Sequence, residues 1–165
     1  SKQVVVGYEE PAASGTLGFN LTWKRFSVYT TFMYEFGGQR YNRTLADKVE
    51  SVDILNENVD SRVLTKRWKQ PGDVSAFKKI QASIYVGNAT VKPTSRFVQD
   101  YNWVNLNSIT LEYDIDSKLI KPIGLSMLRV SVGANDLARW SSVELERGLS
   151  YPYSKTINFS LKASF

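Results

Sequence analysis

The 165-residue chain contains no cysteine and no histidine. Without cysteine there is no disulfide framework, no thiolate metal site and no thiol nucleophile. Without histidine the commonest general base and the commonest metal ligand are gone, and with them the familiar catalytic triads and zinc hydrolase sites. No run of about 18 apolar residues occurs anywhere, which excludes a membrane-spanning helix. The first residues, Ser-Lys-Gln-Val-Val-Val-Gly, carry no basic region followed by a long apolar stretch, so no signal peptide is expected.

With 42% hydrophobic and 13% aromatic residues, the sequence is too apolar and too rich in rings to be disordered. Its 21 Lys and Arg exceed its 16 Asp and Glu to give a net charge of +5. The two signs are interspersed and no nucleic-acid motif accompanies them, so they read as a solvated surface with no nucleic-acid partner. No cofactor, metal site or catalytic residue is expected. A structural or binding role is what mostly remains, not an enzyme.

Period-two alternation is the strongest local signal. Leu17, Phe19, Leu21 and Trp23 share one face of a first segment, and Thr16, Gly18, Asn20 and Thr22 the other. After Lys24-Arg25 the pattern resumes, with Phe26, Val28, Phe32, Tyr34 and Phe36 opposed to Ser27, Tyr29, Thr31, Met33 and Glu35. Two alternating runs two residues apart predict a hairpin. A third run places Ile109, Leu111, Tyr113 and Ile115 on one face, but Val104 and Leu106 have the opposite parity, which predicts a bulge near Asn107. A fourth carries Leu128, Val130, Val132 and Ala134, and a fifth closes with Ile157, Phe159, Leu161, Ala163 and Phe165. The predicted strands are 15–23, 26–37, 103–115, 126–135 and 154–165, with Gly37-Gly38 ending the second.

The connections alternate in length. Lys24-Arg25 and the turn from Asp116 to Ser126 are short, whereas 38–102 and 136–153 are long. Within the longest, Thr44 to Glu50 and Asp60 to Trp68 have helix-forming composition, with Asp60 as N-cap. Strands of about ten residues with one polar and one apolar face, short turns at one end and long loops at the other, describe the wall of an outer-membrane barrel. Aromatic residues fit its girdles, Tyr34 and Phe36 at the outer end and Trp23, Phe26 and Phe165 at the inner. Five strands cannot close such a barrel, because an open edge in lipid leaves backbone N–H and C=O groups unpaired. The expectation is therefore a piece of a wall, or else a chain that is not a membrane protein at all.

Six motifs then come in order: Phe-Gly-Gly-Gln-Arg-Tyr-Asn (36–42), Arg-Trp-Lys-Gln-Pro-Gly-Asp (67–73), Pro-Thr-Ser-Arg-Phe-Val (93–98), Trp-Val-Asn-Leu-Asn-Ser-Ile-Thr-Leu-Glu-Tyr (103–113), Gly-Leu-Ser-Met-Leu-Arg-Val-Ser-Val-Gly-Ala-Asn-Asp-Leu (124–137) and the C-terminal Ser-Tyr-Pro-Tyr-Ser-Lys-Thr-Ile-Asn-Phe-Ser-Leu-Lys-Ala-Ser-Phe (150–165). Together they resemble the C-terminal part of SusC/RagA-type TonB-linked transporters of Bacteroidetes, from about Ser14 onward. The resemblance implies an all-β fold: the last five antiparallel strands of a transmembrane barrel of about 22, with long, partly helical extracellular loops. It implies import of glycan oligomers or peptides across the outer membrane of a Gram-negative bacterium, energised by TonB, under a SusD-like surface lipoprotein. Partners would be the remaining barrel and plug, outer-membrane lipid and the barrel-insertion machinery. The plug and the TonB-contacting box have no counterpart in these residues. One departure is that Ser141 to Gly148 replaces the Gly-Leu-Asp-Pro-Glu stretch common before the last strand in relatives.

The terminal pattern of Ile157, Phe159, Leu161 and Phe165 resembles the assembly signal read by the insertion machinery, an edge strand docking by strand addition. Tyr41, Trp68, Tyr85 and Trp140 are candidate contacts to substrate or to the lid lipoprotein. Against this stands a simpler role for the loop aromatics, a small core that holds a long loop in shape. The rival for the whole chain is a soluble β-sandwich module that binds carbohydrate. A weaker one is a glycoside hydrolase using Asp136, Glu144 and Glu146.

Overall fold

A computed structural model describes residues 4–52, 58–80, 94–145 and 154–165. Five antiparallel strands form one sheet in sequential order: β1 (Ala13–Trp23), β2 (Phe26–Tyr41), β3 (Val98–Asp114), β4 (Met127–Ser141) and β5 (Thr156–Ser164). The hairpin at Lys24-Arg25 is present. Trp23 pairs with Phe26, and Lys24 takes a positive φ of 56° to close the turn. Residues 116–126 hold a short helix, α3 (Ser117–Ile120), followed by a 3-10 turn (Lys121–Ile123); the Asp116 side chain caps the helix, accepting a hydrogen bond from the Lys118 amide at 2.9 Å.

The register carries the alternation across all five strands. Phe19 lies opposite Thr30, Phe26 opposite Tyr113, Tyr113 opposite Val130 and Val130 opposite Leu161, so the apolar residues of every strand fall on one continuous face. The other face carries Asn20 with Tyr29, Ser27 with Glu112, Asp114 with Arg129 and Arg129 with Lys162. Among the described residues nothing packs on the apolar face: Phe19 is 59% exposed and Phe159 79%. A sandwich requires a second sheet over that face, and the described residues form a single sheet.

The bulge expected near Asn107 is present. Thr31 pairs with Ser108 and Phe32 with Leu106, so Asn107 is the extra residue. It carries into the next pair, where Asp136 and Leu137 lie opposite that single residue and Asp136 takes a φ of 52°. Aspartate tolerates this left-handed backbone better than most residues.

The strands extend further than predicted, and bulges are the reason. β2 does not stop at Gly37-Gly38. Gly37 (φ 82°) leaves the ladder and its amide donates to Asn102 Oδ1 at 2.7 Å, after which pairing resumes at Gly38 with Tyr101 and runs on to Tyr41 with Val98. β3 thus begins at Val98 rather than 103, and β4 continues past Asn135 to Ser141 rather than yielding to a loop at 136. The long connections are correspondingly shorter, 42–97 and 142–155. A Cβ on Gly37 would lie 2.8 Å from the Ala12 Cβ. Gly37→Val is therefore expected to destabilise the sheet by roughly 1–3 kcal/mol, read from urea titration, with Gly18→Val, where a Cβ meets nothing closer than 3.9 Å, as the control.

The buried apolar cluster lies in the longest connection, not under the sheet. Leu45, Ala46, Val49, Val63, Phe77 and Phe97 pack together, with Tyr41, Val52 and Ile80 against them. Helical turns supply it: α1 (Arg43–Leu45) runs into a wider π turn at Ala46–Glu50, and α2 (Arg62–Thr65) follows. The second helix stops three residues short of Trp68. Its N-cap is Ser61 rather than Asp60, without a side-chain capping bond, and Asp60 one residue earlier accepts from the Arg62 amide at 2.9 Å. Among the described residues no helix is long and apolar enough to cross a membrane, which says nothing about crossing with strands.

Candidate functional site

The polar face of the sheet carries two charged assemblies of opposite character. At the short-turn end, Arg129 Nε and Nη2 form a fork on Asp114 at 2.6 and 2.8 Å, and Nη1 reaches Glu112 at 2.9 Å. Arg25 pairs with Asp116 beside it. The Asp116 carboxyl is held below its ordinary pKa by the Lys118 amide and then by Arg25. These arginines are saturated by carboxylates and brace the turns.

At the long-loop end the arginines stack on rings instead. The Arg139 guanidinium lies 4.2 Å from the Trp103 ring centroid and donates from Nη2 to the Tyr101 hydroxyl at 2.7 Å. Arg40 lies 4.9 Å from the Tyr101 ring centroid, and Trp103 Nε1 donates to Glu35 at 2.8 Å. Asn105 Nδ2 donates to Asp136 at 3.0 Å. Period-two order produces this ladder, because residues 101, 103 and 105 project to one face and the bulges bring Arg40 and Arg139 alongside them. The predicted third strand starts at Trp103 and leaves Tyr101 in the long connection, which hides the ladder from sequence reasoning. The signal that could have found it was their shared parity with Asn105.

The loop above is tied together by polar side chains that alternation cannot show. Asn42 is fully buried: its Oδ1 accepts from the Leu45 amide at 3.1 Å and its Nδ2 donates to Gln99 at 2.8 Å and to the Glu144 carbonyl at 3.4 Å. Arg67 is 6% exposed and donates to the backbone carbonyls of Val49, Lys78 and Lys79. Burial pushes its guanidinium pKa below the usual value, opposed by the nearby Glu50 carboxylate. Glu50, also buried, pairs with Arg96 at 3.1 Å. Asp60 lies below its ordinary pKa because Arg62 donates to it, and Arg62 also reaches Glu144, which joins the second long connection to the first.

The loop candidates do not converge. Tyr41 packs edge-on against Phe97 at 5.8 Å and belongs to the loop cluster. Trp68 is half-buried, its amide donating to the Phe77 carbonyl at 3.0 Å, beside a cleft of about 330 Å³. Trp140 is not in a loop at all. It pairs with Val104 inside β4 and stands 56% exposed on the apolar face, because β4 runs through the expected boundary at 136. Tyr85 lies outside the described residues. Ile157, Phe159 and Leu161 share the apolar face of the edge strand β5, and Phe165 follows it, 95% exposed. Of the acidic candidates for hydrolysis, Glu146 lies outside the described residues. Asp136 is held by Asn105, and Glu144 stands 3.5 Å from Arg62.

Among the described residues, one sheet with two open edges, an uncovered apolar face and a charged opposite face defines a section of β-barrel wall. Solved structures show the same fold: a chain of the RagAB peptide importer in the open-open state superposes with a TM-score of 0.65 over 94% of this chain, at 19% identity. The closed-closed state gives 0.63 over 84% at 16% identity, and a further RagAB peptide transporter structure 0.58 over 79% at 16%. This chain spans only 17%, 15% and 14% of those chains. No family model matches the sequence, and no curated protein matches it.

Proposed function

We propose that the chain is the C-terminal part of an outer-membrane barrel of SusC/RagA type, importing peptides as part of a larger transporter. The observation that carries this reading is the uncovered apolar face spanning all five strands. In water such a face is a liability; against lipid it is the favourable side of the wall. Its aromatic ends support the same reading. Phe26 packs on Tyr113 at 4.6 Å at one end, and Tyr34 on Phe36 at 5.5 Å at the other. Ten residues separate Phe26 from Phe36, about 33 Å along the strand and about 25 Å when tilted by about 40°, the height of the apolar band of a barrel. Trp140 then joins the outer girdle rather than touching cargo.

The remaining barrel strands complete the ladders of β1 and β5, and β5 with Phe165 acts as the docking signal for insertion. The connections 42–97 and 142–155 lie outside the cell beneath a SusD-like lipoprotein, and TonB acts through the rest of the protein. The fold likeness to peptide importers supports peptide rather than glycan cargo.

The test is fractionation and uptake in the native bacterium. The protein is expected in the detergent-requiring outer-membrane fraction, and deletion of its gene is expected to abolish uptake of labelled oligopeptides while uptake of labelled maltooligosaccharides continues. A monodisperse, detergent-free monomer of native material ends the reading.

A further inference from the structure

The arginines of the polar face divide by what satisfies them. Arg129 and Arg25 are saturated by carboxylates at the short-turn end. Arg40 and Arg139, at the long-loop end, are exposed and stack on rings, and neither has a carboxylate within 4 Å among the described residues. A guanidinium lying on a ring keeps its face covered and its edge donors free, the arrangement that binds a carboxylate in two parallel hydrogen bonds. Arg139 commits Nη2 to the Tyr101 hydroxyl, which fixes its orientation. The neighbouring Glu35 carboxylate is already engaged by Trp103 Nε1.

We propose that Arg40 and Arg139, aligned by Tyr101 and Trp103, form a carboxylate-binding strip that selects peptide cargo bearing acidic side chains or a free C-terminus. This deepens the import reading and rests on it. Two cations held along one strip suit an extended chain, whose successive acidic groups can engage both at once. Arg40 also borders an open cleft of about 910 Å³, whose lining includes Arg43 together with Glu9 and Asp47 but not Arg139. The rings contribute apolar contact to the intervening cargo side chains, so a neutral peptide still binds, but less tightly.

The experiment is calorimetric titration of the complete transporter in detergent with two heptapeptides. One is Gly-Ser-Asp-Gly-Asp-Ser-Gly with a free C-terminus; the other has Asn for Asp and a C-terminal amide. The wild-type protein is expected to prefer the acidic peptide by about tenfold. In Arg40→Gln/Arg139→Gln that preference is expected to vanish, with affinity for the neutral peptide within about twofold of wild type, as for loss of charge-assisted bonds alone. Arg40→Lys/Arg139→Lys is expected to retain part of the preference, because charge survives but the planar fork does not. Native folding is checked by heat-modifiable gel migration; if the glutamine variant fails it, the lysine variant decides, and an undiminished preference there overturns the strip. Equal binding of both peptides by wild type, or a preference that survives in the glutamine variant, also overturns it while leaving peptide import standing. Binding of neither peptide by wild type overturns both.

Discussion

Replacing Arg67 by methionine is expected to release the outer loop while leaving the barrel wall folded. Three backbone carbonyls, from Val49, Lys78 and Lys79, converge on this one buried guanidinium. They come from both sides of α2, so the side chain ties the π turn to the segment after Phe77. Methionine fills much of the volume but offers no donor, and each stranded carbonyl costs about 1 kcal/mol or more. The loss adds to about 3–5 kcal/mol of local stability, since Glu50 also loses a neighbouring positive charge inside the loop. The measurement is hydrogen exchange of the amides of Ala46, Ser51 and Phe97, whose protection reports opening of this unit. Exchange there is expected to accelerate by about two to four orders of magnitude, with the β2–β3 ladder unchanged. Arg67→Lys serves as the comparison: one ammonium on a flexible stem cannot reach three carbonyls in the guanidinium's plane. Unchanged protection in the methionine variant would show that the apolar cluster holds the loop unaided.

A charge placed on the apolar face near mid-strand is the second large effect. Ile109 pairs with Thr30 and Ala134, close to midway between the aromatic ends, on the apolar face. Ile109→Arg is expected to destabilise the barrel by about 2–4 kcal/mol, the cost of an arginine at the bilayer midplane. The adjacent Thr110→Arg points to the opposite, polar face, where it lies across from Tyr29 and Gly133. Its expected cost is below about 1 kcal/mol, because that face carries water and charge already. Both values come from reversible folding of the full barrel into short-chain lipid vesicles. The contrast between neighbouring residues is what matters. Equal and small costs at both positions would mean that the apolar face does not meet lipid, and the barrel-wall reading would fall with it.

Particular residues show how far the sequence could be read. Trp23, Phe26, Phe32 and Phe159 announced their face through strict alternation, a property of each strand taken alone. The change of parity between Leu106 and Ile109 announced the bulge at Asn107 for the same reason. Gly37 and Asp136 misled, because a residue that leaves a ladder for one step has the same local chemistry as a residue that ends it. Whether pairing resumes depends on the partner strand: Asn102 captures the Gly37 amide, and Ala138 continues opposite Leu106. Trp140 changed its meaning with that boundary, from a loop contact to a ring on the apolar face. Tyr41 changed likewise once Phe97 was found beside it.

The amino-acid order by itself thus determined an all-β chain, two faces of opposite polarity, the tight turn at Lys24-Arg25 and an excursion too long to be a turn. Only the tertiary structure decided where the strands stop, that the single apolar cluster of the described residues sits in the excursion rather than beneath the sheet, and which arginines are neutralised and which are left stacked on rings. The physical reason lies in range. Alternation follows from the geometry of two consecutive peptide units, whereas a bulge, a three-carbonyl clamp or a cation–ring contact depends on groups brought together from strands far apart in the chain.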